Sequence, residues 1–200
     1  ARWAKRVEEE FPGFFIVGEV WYDDPALSAY WALNKVNHDG YRSNLPSLTD
    51  LPLCFATHRA FEGKLNPTDA LSKLYNMLSQ DFLYPEPLRN VIFLDNHDMT
   101  RFYTQTGKSL DAYKLGLSFI MTTRGIPQLY YGSEIVMEGD KSKGDGRLRE
   151  DFPGGWPGDT KSVLAGTGLS EEENEALDFT KRILNWRKAK DVIHTGKLKH

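Results

Sequence analysis

The sequence predicts an α/β fold built on a parallel sheet or barrel. Three observations carry this. Residues 14–21 and 91–98 are apolar, β-branched and aromatic runs of strand length, and each reaches a carboxylate, Glu19 or Asp98, at or near its end. Strand-like and helix-like stretches alternate four times along the chain. No low-complexity segment interrupts them, so the repeated unit is the βα module itself.

In chain order, residues 1–11 carry apolar side chains at 3, 4, 7 and 11, the pattern of a helix entered midway, and Pro12-Gly13 stops it. The chain is expected to be truncated at this end. The first strand follows, then an Asp23-Asp24-Pro25 helix start and a helix from Ala26 to about Asn34. Residues 38–50 read as an irregular loop, and 48–55 as a weak strand interrupted by Pro52. A helix opens at Asn66-Pro67-Thr68-Asp69 with Leu71, Leu74, Tyr75, Leu78 and Phe82 on one face, ending at Pro85 and Pro87 before the second strong strand. Residues 110–123 form an apolar helix closed by Gly125 and Pro127, and 126–132 a further strand. A Gly- and Asp-rich loop covers 138–168. Ser170 to Glu173 is a capping box opening a helix to about Lys190, with Leu177, Ile183, Leu184 and Trp186 helping to form its buried side.

Composition narrows the function classes. The formal net charge of -3 gives no electrostatic reason to expect nucleic acid or an anionic membrane as partner. No apolar run approaches the ~20 residues of a membrane-spanning helix, and the mean hydropathy is -0.51. The single Cys54 excludes an intrachain disulfide and a cysteine metal cluster while leaving the compartment open. With 5 Trp, 9 Tyr and 11 Phe, a surplus of aromatics at loop ends would suit stacking on the apolar faces of sugar rings.

The chemistry sits at the strand ends. In a parallel α/β architecture Glu19 and Asp98 would lie at the lip of one site, with room for one further strand between theirs. Two carboxylates converging on one cleft suggest acid/base work on a neutral substrate, with glycosidic bonds as the leading case. A carboxyl buried beside the Trp21 indole would have its charged form disfavoured and hold a proton for a leaving oxygen; a strand-end glutamate paired with an arginine is the plainer alternative. Asn96-His97-Asp98 places hydrogen-bonding groups where a strand enters solvent: Asp98 could face positive charge developing on a sugar ring, and His97 could donate to hydroxyls. No His or carboxylate spacing matches a metal site, and Asp140 with Asp145 does not fit a calcium loop.

Gly18-Glu19-Val20-Trp21, the 93–98 segment ending Asn96-His97-Asp98, and the 125–134 segment containing Tyr130-Tyr131-Gly132 resemble, in order, three signature regions of the α-amylase family of glycoside hydrolases. The resemblance implies that these residues belong to the C-terminal half, about strands 5 to 8, of a (β/α)8 TIM barrel. Residues 1–190 would be part of that barrel and 191–200 the start of a C-terminal β domain. It implies Glu19 as general acid/base, Asp98 as transition-state stabiliser and His97 as a sugar contact. The family's nucleophilic aspartate would lie in a Gly-x-Arg-x-Asp type segment upstream of Ala1.

Within the family, Trp21 and the Asp23-Asp24-Pro25 that follows resemble the cyclomaltodextrinase and neopullulanase branch. Trp21 and Tyr22 would then stack on the leaving side, with loop packing the alternative for Tyr22. Asp145 and Arg149 resemble an acid and arginine that hold the outer glycone sugar, with a solvated ion pair as the other reading. The implied activity is retaining hydrolysis of α-1,4 and, in some substrates, α-1,6 bonds of maltooligosaccharides, cyclodextrins or pullulan. A transglycosylase or isomerase of the family, or a catalytically silent carbohydrate-binding protein, are the alternatives. No cofactor is expected, calcium being left to a segment preceding Ala1. A second copy of the chain, paired through exposed strand edges or through other domains, is the protein partner expected. The 200 residues alone are not expected to hydrolyse α-glucans.

Overall fold

Four short parallel strands organise the computed structural model, which describes residues 2–62 and 67–196. They are β1 (Val17–Gly18), β2 (Ser47–Leu48), β3 (Val91–Ile92) and β4 (Ile126–Pro127). β1 pairs with β2 (Val17 with Ser47, Gly18 with Leu48), and β3 with β4 (Val91 with Ile126, Ile92 with Pro127). A parallel bridge between Thr49 and Val91 joins the two pairs, and the Asp50 N–H donates to the Val91 carbonyl at 2.8 Å. The strands therefore stand side by side in chain order, as successive βα units place them. Among the described residues β1 and β4 each have a strand neighbour on one side only.

The helices are α1 (Arg2–Glu10), α2 (Pro25–Ala29), α3 (Leu51–Phe61), α4 (Pro67–Leu78), α5 (Phe102–Gln105), α6 (Leu110–Thr122), α7 (Glu171–Lys188) and α8 (Asp191–Thr195). Their starts follow the sequence. Asp24 caps α2 by accepting from the Ala26 and Leu27 N–H groups, Ser109 caps α6, and Ser170 with Glu173 forms the expected capping box of α7. Asn66 and residues 197–200 lie outside the described residues. The stretch after Lys190 begins with the single helical turn α8, so the boundary placed there remains an expectation.

Three expectations are corrected. The strand expected over 48–55 is the end of β2 followed by α3. Asp50 accepts from the Leu53 N–H at 3.1 Å, and Pro52 occupies the first helical turn, where its missing donor goes unnoticed. Because α3 is buried on nearly every side, it lacks the polar face that betrays a helix. On α4 the buried stripe is Ala70, Leu74 and Met77, which packs toward α3; Leu71 (66% exposed) and Tyr75 (54%) face outward, and Phe82 lies in a separate turn. On α7 the buried residues are Ala176, Thr180 and Arg187, whereas Leu184 and Trp186 are exposed. Arg187 is drawn inward because its guanidinium donates to the Met121 and Gly125 carbonyls at 2.7 and 3.1 Å, satisfying the end of α6.

The main core joins Ile92 of β3 and Leu94 just beyond it to Leu53 and Phe61 of α3, Leu74 of α4 and Leu117 and Ile120 of α6. A buried ion cluster stiffens one end of it. Arg124, on the approach to β4, contacts Asp50 Oδ2 and Asp81 Oδ1, each at 2.5 Å. Together these elements hold the C-terminal ends of β1 and β3 in fixed relation.

Candidate active site

The segment after β3 changes from apolar to polar within the core. Phe93 and Leu94 are buried, and so are Asp95 and Asn96. Asp95 accepts from the Phe102 N–H at 2.7 Å and from the Ser133 hydroxyl at 3.2 Å, tying this strand end to α5 and to the chain after β4. Burial pushes its pKa above the ordinary carboxylate value. Asn96 Oδ1 accepts from the Asp98 N–H at 2.9 Å, a local turn that redirects the chain. These two residues set the direction in which His97 and Asp98 leave the sheet.

The long loop after β4 then folds back onto this point. The Arg149 guanidinium donates to Asp98 Oδ1 at 2.5 Å and to the His97 carbonyl at 3.0 Å, and lies 3.5 Å from Asp145 Oδ2. Lys141 contacts Asp145 Oδ1 at 2.5 Å, and this hydrogen bond holds the Asp145 carboxyl below the usual carboxylate range. His97 Nε2 stands 3.2 Å from Asp98 Oδ2. The expected Asp145 and Arg149 pair is thus real but secondary: Arg149 engages Asp98 more closely, and Asp145 engages Lys141. The competing Arg147 is occupied by Glu150.

Four of the seven residues singled out in the sequence therefore converge: His97, Asp98, Asp145 and Arg149. Glu19, Trp21 and Tyr22 lie at the end of β1, on the other side of β2, roughly two strand spacings or about 10 Å from β3. Among the described residues no hydrogen bond or ion pair joins Glu19 to the Asp98 cluster. Of the two readings of Glu19, a carboxyl buried beside the Trp21 indole is not what the structure shows: Glu19 is exposed. Alternation along the chain turns Val20 inward, its N–H donating to Thr49 Oγ1 at 3.1 Å, and leaves Glu19 and Trp21 exposed on either side of it. Tyr22 is exposed as well, and Asp23 just beyond it is gripped by both Nη atoms of Arg59 on α3, at 2.6 and 3.1 Å.

Arranged in this way, the site offers an exposed carboxyl with an exposed indole at one strand end. At another it offers a carboxylate braced by a guanidinium and an imidazole. A carboxyl open to a substrate oxygen can pass a proton, and a fixed carboxylate can face developing positive charge. Sequence reasoning missed Asp95 as the anchor and Arg101 beneath the cluster. A carboxylate inside a strand-like apolar run was the available signal for Asp95, whereas Arg101 carried none. Among the described residues no three His, Cys, Asp or Glu side chains are grouped so as to hold a metal ion, and no helix is long and apolar enough to cross a membrane.

A family model described as "Alpha amylase, catalytic domain" matches residues 1–153. The chain is 30% identical over 203 residues to Alpha-amylase 3 of Dictyoglomus thermophilum, covering 94% of this chain and 38% of that protein. It is 39% identical over 106 residues to the cyclomaltodextrin glucanotransferase of Bacillus sp. (strain 38-2), covering 52% and 14% respectively. The solved α-amylase from Geobacillus thermoleovorans, complexed with acarbose, superposes with a TM-score of 0.72 at 26% identity, over 97% of this chain and 38% of that one. The chain therefore spans well under half the length of these proteins.

Proposed function

This chain belongs to the α-amylase catalytic-domain family, and on that premise we propose that the protein carrying it is a retaining glycoside hydrolase of α-glucans. In this reading β1 to β4 are the fifth to eighth strands of a (β/α)8 barrel. Residues 1–190 are part of that barrel, and 191–200 open a C-terminal β domain. Glu19 protonates the glycosidic oxygen as the leaving sugar departs, then takes the proton of the attacking water. Asp98 faces the sugar as positive charge develops, and His97 donates to a ring hydroxyl. A retaining mechanism also needs a carboxylate nucleophile, which is assigned to no residue in 1–200. Trp21 and Tyr22 stack on the leaving side, and Asp145 and Arg149 bind the outer glycone sugar. The substrates are maltooligosaccharides, cyclodextrins or pullulan, cleaved at α-1,4 bonds and secondarily at α-1,6 bonds.

The observation that carries this reading is the fixed Asp98 carboxylate, held by Arg149 at 2.5 Å on the same end of the sheet as Glu19. The test is Glu19→Gln in the intact protein. Hydrolysis of a maltooligosaccharide should fall by about 10³-fold, and that of an aryl α-maltoside, whose leaving group needs no proton, should fall far less in its first step. Unchanged hydrolysis of the maltooligosaccharide overturns the assignment. The likeness to a cyclomaltodextrin glucanotransferase supports a second reading, transfer to a sugar acceptor instead of water. Longer and cyclic products in place of shorter ones would select it.

A further inference from the structure

Arg101 is almost wholly buried, three residues beyond Asp98, and among the described residues no carboxylate forms an ion pair with it. Asp95 feels the Arg101 charge without contacting it, and a guanidinium taken out of water with no carboxylate in contact is costly unless its donors are used. Here both Nη groups are used on main-chain oxygens, while the buried Nε–H has no hydrogen-bond partner. One Nη donates to the Tyr131 carbonyl at 2.5 Å and the other to the Leu148 carbonyl at 2.9 Å. The guanidinium carbon lies 4.0 Å from the centre of the Tyr130 ring and 5.1 Å from that of Tyr131. The same two tyrosines reach the same loop. The Tyr130 hydroxyl donates to the Leu148 carbonyl at 3.2 Å, and the Tyr131 hydroxyl donates to the Glu150 carbonyl at 2.8 Å.

The carbonyls on either side of Arg149 are therefore both held from beneath, and the side chain between them reaches Asp98. Gly139 makes room for this: a Cβ there would lie 2.8 Å from Arg101 Cγ and 2.9 Å from the Arg147 carbonyl. We propose that Arg101, with the Tyr130 and Tyr131 hydroxyls, is a positioning group that sets the Arg149 guanidinium against Asp98. It touches no substrate and acts through Arg149 alone. A lysine could not replace it, because an ammonium lacks the planar fork that serves two carbonyls at once. The role in turnover rests on the glucan hydrolase reading; the mechanical role does not.

Tyr131→Phe tests it with the least disturbance, since it deletes one partly exposed hydroxyl. In the intact protein, kcat for a maltooligosaccharide should fall about fivefold with KM nearly unchanged, the effect of one lost hydrogen bond on the group that faces the developing charge. In an Arg149→Ala background the same change should have no effect on kcat. An equal effect in both backgrounds overturns the proposal, because a merely structural tyrosine would act in either. Amide hydrogen exchange at residues 148–150 should quicken about fivefold in Tyr131→Phe and more in Arg101→Lys. Unchanged protection there overturns the proposal whether or not the protein turns over glucans. If the protein proves inactive on glucans while exchange quickens, the clamp stands and the substrate reading falls.

Discussion

Arg149 holds the Asp98 carboxylate at 2.5 Å from a loop that starts on a different strand. The pair is 43% and 33% exposed, so it contributes little to stability, about 1 kcal/mol at most. What it supplies is orientation: a carboxylate beyond the end of β3 contacted by Arg149 at one oxygen and by the His97 ring at the other.

Arg149→Lys should therefore separate stability from activity. Unfolding free energy in urea should change by less than about 1 kcal/mol, while kcat/KM on a maltooligosaccharide falls about tenfold as the bidentate reach to Asp98 and the His97 carbonyl is lost. A large loss of stability with unchanged turnover would make the bridge a fold element instead.

The Arg124 cluster should behave in the opposite sense. Its side chain is 7% exposed between Asp50 at 1% and Asp81 at 17%. Arg124→Met strands a buried carboxylate and should cost about 3–5 kcal/mol in denaturant unfolding. Adding Asp50→Asn should restore part of that loss, since the orphaned charge is then gone.

His58 gives the protein a pH dependence. It is buried, and its Nε2 lies 2.5 Å from the Leu94 carbonyl. Burial is the largest influence on it and holds its pKa below the ordinary 6.5. The unfolded chain then binds the proton more readily, so stability is fully present above about pH 6.5 and is lost as pH falls through the folded-state value. Denaturant midpoints measured from about pH 7 down to about pH 5 should drop, and His58→Gln should flatten that drop relative to the parent.

Gly139→Ala should destabilise by about 1–3 kcal/mol, because the new methyl meets Arg101 Cγ and the Arg147 carbonyl inside normal contact distance. Thermal unfolding reads this directly. A neutral outcome would mean that the 139–148 segment yields without strain.

The starts of α2, α6 and α7 were legible because capping is local. Asp24, Ser109 and Ser170 each satisfy donors within three residues of themselves. Helix faces were less legible. Leu71 and Leu74 are equally apolar in the sequence, yet only Leu74 is buried, because the neighbouring α3 and not hydrophobicity selects the face of α4. α3 itself reads as neither helix nor strand, since burial on nearly all sides erases the period by which either is recognised.

The candidate site divides along the same line. By itself the sequence determined the βα alternation, the polar ends of the apolar runs at Glu19 and Asp98, and the motifs that place the chain in its family, because each is written in consecutive residues. Only the tertiary structure decided that Arg149, and not Arg147, meets Asp98, that Glu19 stands exposed across β2 from it, and that a buried Arg101 holds the loop between. Those relations join residues far apart in the chain. They depend on which strands pair and which carbonyls the folded loop presents, and no local pattern of side chains encodes that.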